Sequence, residues 1–92
     1  MTYTIKIRPA AGKKIKKLDP TVRRRIIAAI ETLAENPRPP YPKGCKMEGS
    51  SRNQWRLRSG DWRVIYEIHD QQLFVDVVKI GGRGQATLYK CR

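Results

Sequence analysis

The spacing of apolar residues changes twice along this chain of 92 residues, and that change limits the folds it can adopt. Apolar side chains alternate with polar ones over residues 3–8 and again over residues 54–68, which is the period of a strand with one covered face. From residue 9 to residue 36 they recur every three or four positions, as on one face of a helix. The order therefore predicts a strand, a helical segment and then further strands.

Two breaks divide the helical segment into a hairpin of two short helices. Pro9 suits the first turn of a helix, and Asp19 followed by Pro20 supplies a cap and a second start. Asn36-Pro37 is expected to end the second helix, because Asn tolerates a left-handed cap and Pro cannot continue a helix. Both apolar stripes are narrow and flanked by Lys and Arg, so each helix is expected to bury one face only.

The second half of the chain reads as a loop followed by three strands. The prolines and glycines over residues 37–52 predict a long loop or an irregular edge segment. Turn residues at 59–61 and 70–72 separate the strands that follow, and such short turns make neighbouring strands antiparallel. The first strand must join this meander, because its backbone needs partners. We expect a single α+β domain over residues 1–92: a small antiparallel sheet made of the N-terminal strand and a three-stranded meander, with an N-terminal αα-hairpin packed on one face.

The charge balance indicates an anionic partner. Twenty Lys and Arg face eight Asp and Glu, a formal net charge of +12, and such a surface attracts polyanions. Disorder is excluded, because 39% of the residues are hydrophobic and fall in periodic runs. No apolar stretch approaches the ~20 residues of a membrane span, and the N-terminus has no apolar signal core. We expect a cytoplasmic protein without membrane association, in which Cys45 and Cys91 are free thiols.

Conventional catalytic sets are nearly absent. The single histidine, His69, lies beside a predicted turn and is expected to be a solvated turn residue. The two cysteines lack the spacing of a metal site, and residues 81–84 match neither a Walker nor a Rossmann phosphate loop. We expect no metal and no cofactor. An enzyme with this sequence would have to use Arg, Lys and Tyr.

A group of arginines is the remaining candidate site. Arg56 and Arg58 share one face of a predicted strand, and Arg63 begins the strand that pairs with it across a tight turn. Arg83 follows the last strand, and Tyr89 comes shortly afterwards. Cations from several strands on one sheet face can form a site for an anion. The alternative is that these arginines only solvate an exposed face.

Such a site could cleave RNA, because RNA supplies its own nucleophile, the 2′-hydroxyl. Guanidinium groups can stabilise the extra charge of the pentavalent phosphate, and a tyrosine among cations has a lowered pKa and becomes a candidate base. Trp55, Trp62 and Tyr66 offer stacking area for bases. Core packing is the alternative, and it is favoured for Trp55, which shares a strand face with Leu57.

The segment from Trp55 to Tyr66, WRLRSGDWRVIY, resembles the meander of the RelE toxins, in the RelE/ParE superfamily. That family has a basic–leucine–arginine strand, a turn, an aromatic residue, an arginine, two aliphatic residues and a tyrosine. The segment from Val78 to Arg83 is also similar, as are the Leu-Asp-Pro that starts the second helix and the Asn-Pro-Arg that ends it. The resemblance covers nearly the whole chain and implies the fold described above.

The resemblance also implies an activity and roles for individual residues. RelE toxins enter the ribosomal A site and cut mRNA there through attack of the 2′-hydroxyl. By position, Arg56 replaces a catalytic lysine, and Arg63 matches the arginine that stabilises the transition state. Arg83 matches the arginine that stabilises the phosphate or protonates the leaving group, and Tyr89 the tyrosine that orients the nucleotide or helps to activate the 2′-hydroxyl. Gln54 stands where the family has a second catalytic lysine, which leaves the general base unassigned.

The partners implied by the resemblance are an antitoxin and the ribosome. A cognate acidic antitoxin would wrap around the toxin and block it, so we expect a monomer alone and a hetero-oligomer with the antitoxin. Other basic side chains would contact ribosomal RNA or mRNA, unless the helix charges are an ordinary solvated face. The residues expected to bind RNA or the ribosome are Gln54, Arg58, Lys13, Lys14, Lys17, Arg23, Arg24, Arg25 and Lys90.

Two other functions remain open. The ParE branch of the superfamily uses the same fold to bind DNA gyrase, and its members generally lack the full Arg and Tyr set. A non-catalytic basic module would only dock onto ribosomal RNA or an acidic antitoxin, and the helix charges alone would suffice for that. A gyrase supercoiling assay separates the first from an mRNA endonuclease, while contacts to phosphates alone predict binding with a steep salt dependence.

Overall fold

A computed structural model of the protein describes residues 2–47 and 54–82, and these residues form two helices and one five-stranded sheet. The helices are α1 (Pro9–Lys16) and α2 (Pro20–Thr32). The strand order is β1-β5-β4-β3-β2. The predicted α+β class, with a helical hairpin and an antiparallel meander, is confirmed. The strands are β1 (Thr4–Ile7), β2 (Gly44–Lys46), β3 (Gln54–Ser59), β4 (Trp62–His69) and β5 (Phe74–Gly81).

The helical hairpin begins where the sequence predicts and ends earlier. A proline opens each helix, and Asp19 Oδ1 accepts a hydrogen bond from the Thr21 backbone N–H at 3.0 Å, which caps α2. The last residue of α2 is Thr32, so the expected end at Asn36 is wrong. The side chain of Asn36 instead accepts a hydrogen bond from the backbone N–H of Arg38 at 3.1 Å. Asn favours such local turns, which compete with helix.

The hydrophobic core lies between the two helices and one face of the sheet. Ile26 and Leu33 on the helical side and Leu57 and Val64 on the sheet side are completely inaccessible to solvent. The burial of these apolar side chains stabilises the packing of the helical hairpin against the sheet. The buried members of the cluster are Ala11, Ile15, Ile26, Ile30, Leu33, Leu57, Val64, Tyr66, Ile68, Val75, Val77 and Ile80.

The aromatic residues offered for base stacking belong to this core. Trp55 and Trp62 are half-buried and pack against the cluster, which confirms the core interpretation of Trp55. Tyr66 is fully buried, and its hydroxyl donates a hydrogen bond to the carbonyl of Pro37 at 2.7 Å. A base cannot reach the ring, so the suggestion that Tyr66 stacks on RNA is wrong.

Two features of the sheet differ from the expected all-antiparallel arrangement. β1 pairs with β5 in parallel, with Ile5 opposite Val75. No short turn joins these two strands, so the direction of pairing is free of the constraint that a hairpin imposes. β2 adds an edge strand antiparallel to β3, within the segment expected to be a loop or an irregular edge. Gly44 allows this strand to pass Pro39, because a Cβ there would lie 2.6 Å from the Pro39 carbonyl oxygen.

The turn between β3 and β4 fixes the register of the strands that carry the candidate site. Ser59 pairs with Trp62, which leaves Gly60 and Asp61 as a two-residue loop. Gly60 has φ +59°, a left-handed conformation that favours glycine at the first position of such a loop. This register places Arg58 directly opposite Arg63.

The sequence also predicted free thiols at both cysteines and no membrane-spanning segment. Cys45 lies in β2 and is disulfide-bonded, so the expectation of a free thiol at this position is wrong. Cys91 lies outside the described residues. Within residues 2–47 and 54–82, neither helix has the length and apolar character needed to cross a membrane.

Candidate functional site

The sheet face turned away from the helices, here called the outer face, carries the predicted arginines. Leu57 points into the core, and side chains alternate along a strand, so Arg56 and Arg58 point to the outer face. Arg63 joins them there because it pairs with Arg58. We call Arg56, Arg58 and Arg63 the arginine cluster. The structure thus brings together the three arginines that strand spacing placed on one face.

Backbone carbonyls orient two members of the arginine cluster. Arg63 Nη1 donates to the carbonyl oxygens of Gly60 and Trp62, each at 3.1 Å, which fixes the guanidinium over the β3–β4 turn. Arg56 Nη2 donates to the carbonyl oxygen of Pro42 at 2.9 Å. A carbonyl orients a guanidinium without neutralising its charge, so these contacts leave the positive potential of the cluster in place.

Arg56 is the member of the cluster that is partly buried among like charges. Its Nε is buried and has no hydrogen-bond partner in the described part of the chain. Burial lowers the pKa of Arg56, and the positive charges of Arg63 and Arg58 lower it further, against a smaller opposing effect of Tyr41. A partly desolvated cation interacts more strongly with an anion than a solvated one, because the local dielectric is lower. The cluster is therefore suited to a phosphate.

A β-bulge adds Lys79 to the outer face. Val77 pairs with the core residue Tyr66, and Lys79 pairs with Ile65, so Val78 is the extra residue between them. Strict alternation from Val77 would have turned Lys79 into the core. Alternation in the sequence therefore could not place this lysine on the outer face, although a lysine near the end of an apolar strand was a visible signal.

A network of charged and polar side chains borders the arginine cluster on the same face. Gln54 Nε2 donates to Glu67 Oε2 at 3.0 Å, and Arg8 Nε donates to Asp76 Oδ2 at 2.9 Å. Arg8 Nη2 and His69 Nε2 each lie 3.5 Å from Glu67 Oε1. Glu67 is only 4% exposed. Because Arg8, Gln54 and Asp76 are distant in sequence from each other and from Glu67 and His69, the sequence gave no signal of the network.

Three members of this network have ligand atoms close enough to consider a metal. The atoms of Glu67, His69 and Asp76 lie within 4.8 Å of one another. The Arg8 guanidinium already contacts both carboxylates, so a cation of the protein balances the charge that a metal would otherwise balance. His69 stacks on Phe74 with ring centroids 4.2 Å apart, so its expected role as a solvated turn residue is wrong. We therefore interpret Glu67, His69 and Asp76 as a structural cluster and not as a metal site.

The basic residues of the two helices form a separate surface. Because the helices cover the core face of the sheet, most of these residues lie on the other side of the sheet from the arginine cluster, but Arg25 reaches the β3–β4 turn, where it lines a pocket with Gly60 and Trp62. All are exposed except Arg23, which is half-buried with its Nη1 3.5 Å from the carbonyl oxygen of Lys16. We call this set the helical basic surface: Lys13, Lys14, Lys17, Arg23, Arg24 and Arg25.

The predicted RNA contacts that the structure describes therefore fall on two surfaces, the outer face of the sheet and the helical basic surface, which approach each other at Arg25. On the outer face, Arg58 belongs to the arginine cluster and Gln54 lies beside it on β3, whereas the other described residues belong to the helical basic surface. Arg83, Tyr89 and Lys90 lie outside the described residues.

A protein-family model described as "ParE toxin of type II toxin-antitoxin system, parDE" matches residues 5–87. The chain belongs to this family. It is 29% identical over 90 residues to a RelE-like toxin protein of Escherichia coli, covering 97% of this chain and 92% of that one. It is 28% identical, with the same coverage, to the mRNA interferase toxin RelE of Escherichia coli K12. The expected membership of the RelE/ParE superfamily is confirmed.

Solved structures agree with this assignment. The archaeal RelE–RelB complex from Pyrococcus horikoshii OT3 matches with a TM-score of 0.80 and 30% identity, over 92% of this chain and 99% of that one. The intact RelBE toxin–antitoxin complex of Escherichia coli matches with a TM-score of 0.69 and 27% identity, over 87% and 95% of the two chains. The protein is a RelE-like toxin of a toxin–antitoxin system.

Proposed function

We propose that this toxin is an endoribonuclease that cuts mRNA in the ribosomal A site and so inhibits translation. The observation that carries the proposal is the arginine cluster, in which Arg56 is partly buried among the like charges of Arg58 and Arg63. The ion pairs made within residues 2–47 and 54–82 involve Arg8, Arg38 and His69 and not the cluster. The relatives named mRNA interferase support the same activity.

The proposed reaction needs no metal. The 2′-oxygen of the nucleotide before the cut attacks the phosphorus, and the bond to the 5′-oxygen breaks, which leaves a 2′,3′-cyclic phosphate. Arg56 and Arg63 stabilise the added charge of the pentavalent phosphate, and Arg58 contacts a neighbouring phosphate. From the resemblance, Arg83 stabilises the phosphate or protonates the leaving oxygen, and Tyr89 orients the nucleotide or helps to activate the 2′-hydroxyl.

The proposed partners are the ribosome with its mRNA, and an acidic antitoxin. The helical basic surface would contact ribosomal RNA while the arginine cluster faces the mRNA, and Lys90 would add a further phosphate contact. The structures of RelE with RelB support a protein antitoxin, and a net charge of +12 favours an acidic one. We propose a cytoplasmic toxin that is a monomer alone and a hetero-oligomer with its antitoxin.

Primer extension on a defined mRNA, with and without programmed ribosomes, tests the activity. The proposal predicts cuts at A-site codons only when ribosomes are present. Cuts on naked RNA would overturn the dependence on ribosomes. Ribosome binding without any cut would support the non-catalytic basic module instead.

The Arg83→Ala protein should cleave mRNA about 10²–10³ times more slowly than the wild type, which tests a role that rests on the resemblance alone.

Inhibition of DNA gyrase is the second candidate, and the description of the matching family model favours it. In that function the fold binds gyrase and performs no RNA chemistry. A supercoiling assay with purified gyrase decides between the two. Inhibition of supercoiling by folded toxin that leaves mRNA intact on ribosomes would replace the endoribonuclease proposal.

A further inference from the structure

We propose that Glu67 is a positioning residue, which turns the side-chain amide of Gln54 so that its carbonyl oxygen faces the reacting 2′-hydroxyl. This inference rests on the proposed endoribonuclease activity. It assigns a task to a buried carboxylate that the proposed reaction does not otherwise use. It also gives Gln54 a specific role in place of a general contact to RNA.

The chemistry of the Gln54–Glu67 contact fixes the orientation of the amide. The Arg8 guanidinium, 3.5 Å from Glu67, favours the ionised carboxylate, which only accepts hydrogen bonds, so the Gln54 atom at 3.0 Å from Glu67 Oε2 is the amide nitrogen. The carbonyl oxygen of Gln54 then points away from Glu67. The usual ambiguity between the two ends of a glutamine amide does not arise with an acceptor of this kind.

The carboxylate that sets this orientation is itself held in place. Glu67 is 4% exposed, and Arg8 Nη2 lies 3.5 Å from its second oxygen. Arg8 is fixed in turn by the hydrogen bond from its Nε to Asp76 at 2.9 Å. Strands β3, β4 and β5 and the residue that follows β1 therefore share one connected network, and a side chain anchored on several strands keeps a constant position.

The Gln54 carbonyl supplies what the arginine cluster lacks. Guanidinium groups are donors only, so Arg56 and Arg63 can hold phosphate oxygens but cannot accept a hydrogen bond from a hydroxyl. Gln54 and Arg56 are alternate residues of β3 and emerge on the same face, about 7 Å apart along the strand. An amide oxygen beside the cluster can accept the 2′-hydroxyl proton in a hydrogen bond and direct the oxygen at the phosphorus. The amide orients the nucleophile and does not remove its proton.

Single-turnover cleavage on programmed ribosomes tests the inference with three variants. Gln54→Met keeps the length of the side chain but removes the acceptor, and Glu67→Gln removes the charge that orients the amide. We expect each change to lower the maximal rate about three- to tenfold, the effect of one hydrogen bond, with unchanged affinity for ribosomes. The double variant should be no slower than Gln54→Met alone. Glu31→Gln, the same change on the exposed side of α2, is the matched control and should cut at the wild-type rate.

Each outcome separates this inference from the proposed activity. A wild-type protein that cuts no mRNA overturns both. Wild-type cleavage together with full activity of Gln54→Met overturns the inference alone. Slow cleavage by Glu67→Gln with full activity of Gln54→Met also overturns it, because Glu67 would then act on something other than Gln54. If Glu67→Gln does not fold, Gln54→Met must still show a lower maximal rate with unchanged affinity, or the inference fails.

Discussion

The toxin has two basic surfaces, and they differ in how their charges are held. On the outer face of the sheet, Arg56 and Arg63 are half-buried, bound to backbone carbonyls and close to one another. On the helical basic surface, Arg24 and Arg25 are exposed side chains. The run of three consecutive arginines in α2 is the more conspicuous feature of the sequence, yet the separated arginines of the sheet form the more organised site.

The difference has a physical consequence for each surface. Charges that are partly removed from water interact strongly with a bound anion, because the local dielectric is low. Exposed charges are screened by salt and contribute mainly to encounter with a polyanion. We therefore assign chemistry to the arginine cluster and docking to the helical basic surface. Substitutions on the outer face, in the core, on the helical basic surface and at an exposed ion pair should therefore change different properties of the protein.

Removal of a guanidinium from the outer face should have the largest effect. The Arg56→Ala protein is expected to cleave ribosome-bound mRNA about 10²–10³ times more slowly, the loss typical of one charge-stabilising donor. Arg56→Lys should recover only part of the rate, because an ammonium group lacks the planar fork of donors. Single-turnover primer extension measures both. Wild-type rates for Arg56→Ala would remove Arg56 from the site.

The Tyr66→Phe change should lower the free energy of unfolding and leave the rate of mRNA cleavage unchanged. The change removes the donor to the buried Pro37 carbonyl, which costs about 1–3 kcal/mol of unfolding free energy. Urea denaturation measures the loss, and primer extension supplies the control. A lower cleavage rate with unchanged stability would show that the core face of the sheet takes part in RNA binding after all.

Charge reversal on the helices should weaken docking without slowing chemistry. We expect the combined Arg23→Glu, Arg24→Glu and Arg25→Glu protein to bind ribosomes at least about tenfold more weakly, with a shallower salt dependence. At saturating ribosome concentration it should cut at the wild-type rate. Ribosome sedimentation at several salt concentrations measures the binding. Unchanged affinity would show that this surface is only a solvated face.

The smallest effect is expected at Asp70, remote from both surfaces. Hydrogen bonds from Arg38 and Tyr3 hold the pKa of Asp70 below its ordinary value of 3.8. The ionised carboxylate therefore adds stability above pH 3.8, and this contribution disappears as the pH falls through the lowered pKa. Exposure of the side chain keeps the contribution small. Thermal unfolding between pH 7 and pH 2 should fall less steeply for Asp70→Asn than for wild type, and superimposable profiles would contradict the account.

The alternation of residues along the strands and the turn residues between them predicted which strands carry the site. Alternation along β3 and the short turn at Gly60 were enough to place Arg56, Arg58 and Arg63 on one face, because both rules act over a few neighbouring residues. The start of α2 followed from Asp19 and Pro20 for the same reason. Each of these features depends only on residues that are neighbours in the sequence, so it could be predicted without knowledge of the fold.

The features that the sequence did not reveal depend on contacts between distant segments. The bulge at Val78 turned Lys79 to the outer face, and nothing in β5 alone marks where its register with β4 shifts. The parallel pairing of β1 depends on the path of the whole chain. Glu67 and Asp76 gave no signal of a network, because their partners Gln54 and Arg8 are distant in the sequence and only the sheet brings them together.

The most direct test of the division between the two surfaces compares one arginine from each. Arg63→Ala and Arg24→Ala remove the same side chain from the outer face and from the helical basic surface. Single-turnover cleavage of A-site mRNA on saturating ribosomes should fall by about 10² or more for Arg63→Ala and stay near the wild-type rate for Arg24→Ala. Equal rates for the two proteins, or the greater loss for Arg24→Ala, would contradict the assignment of chemistry to the arginine cluster.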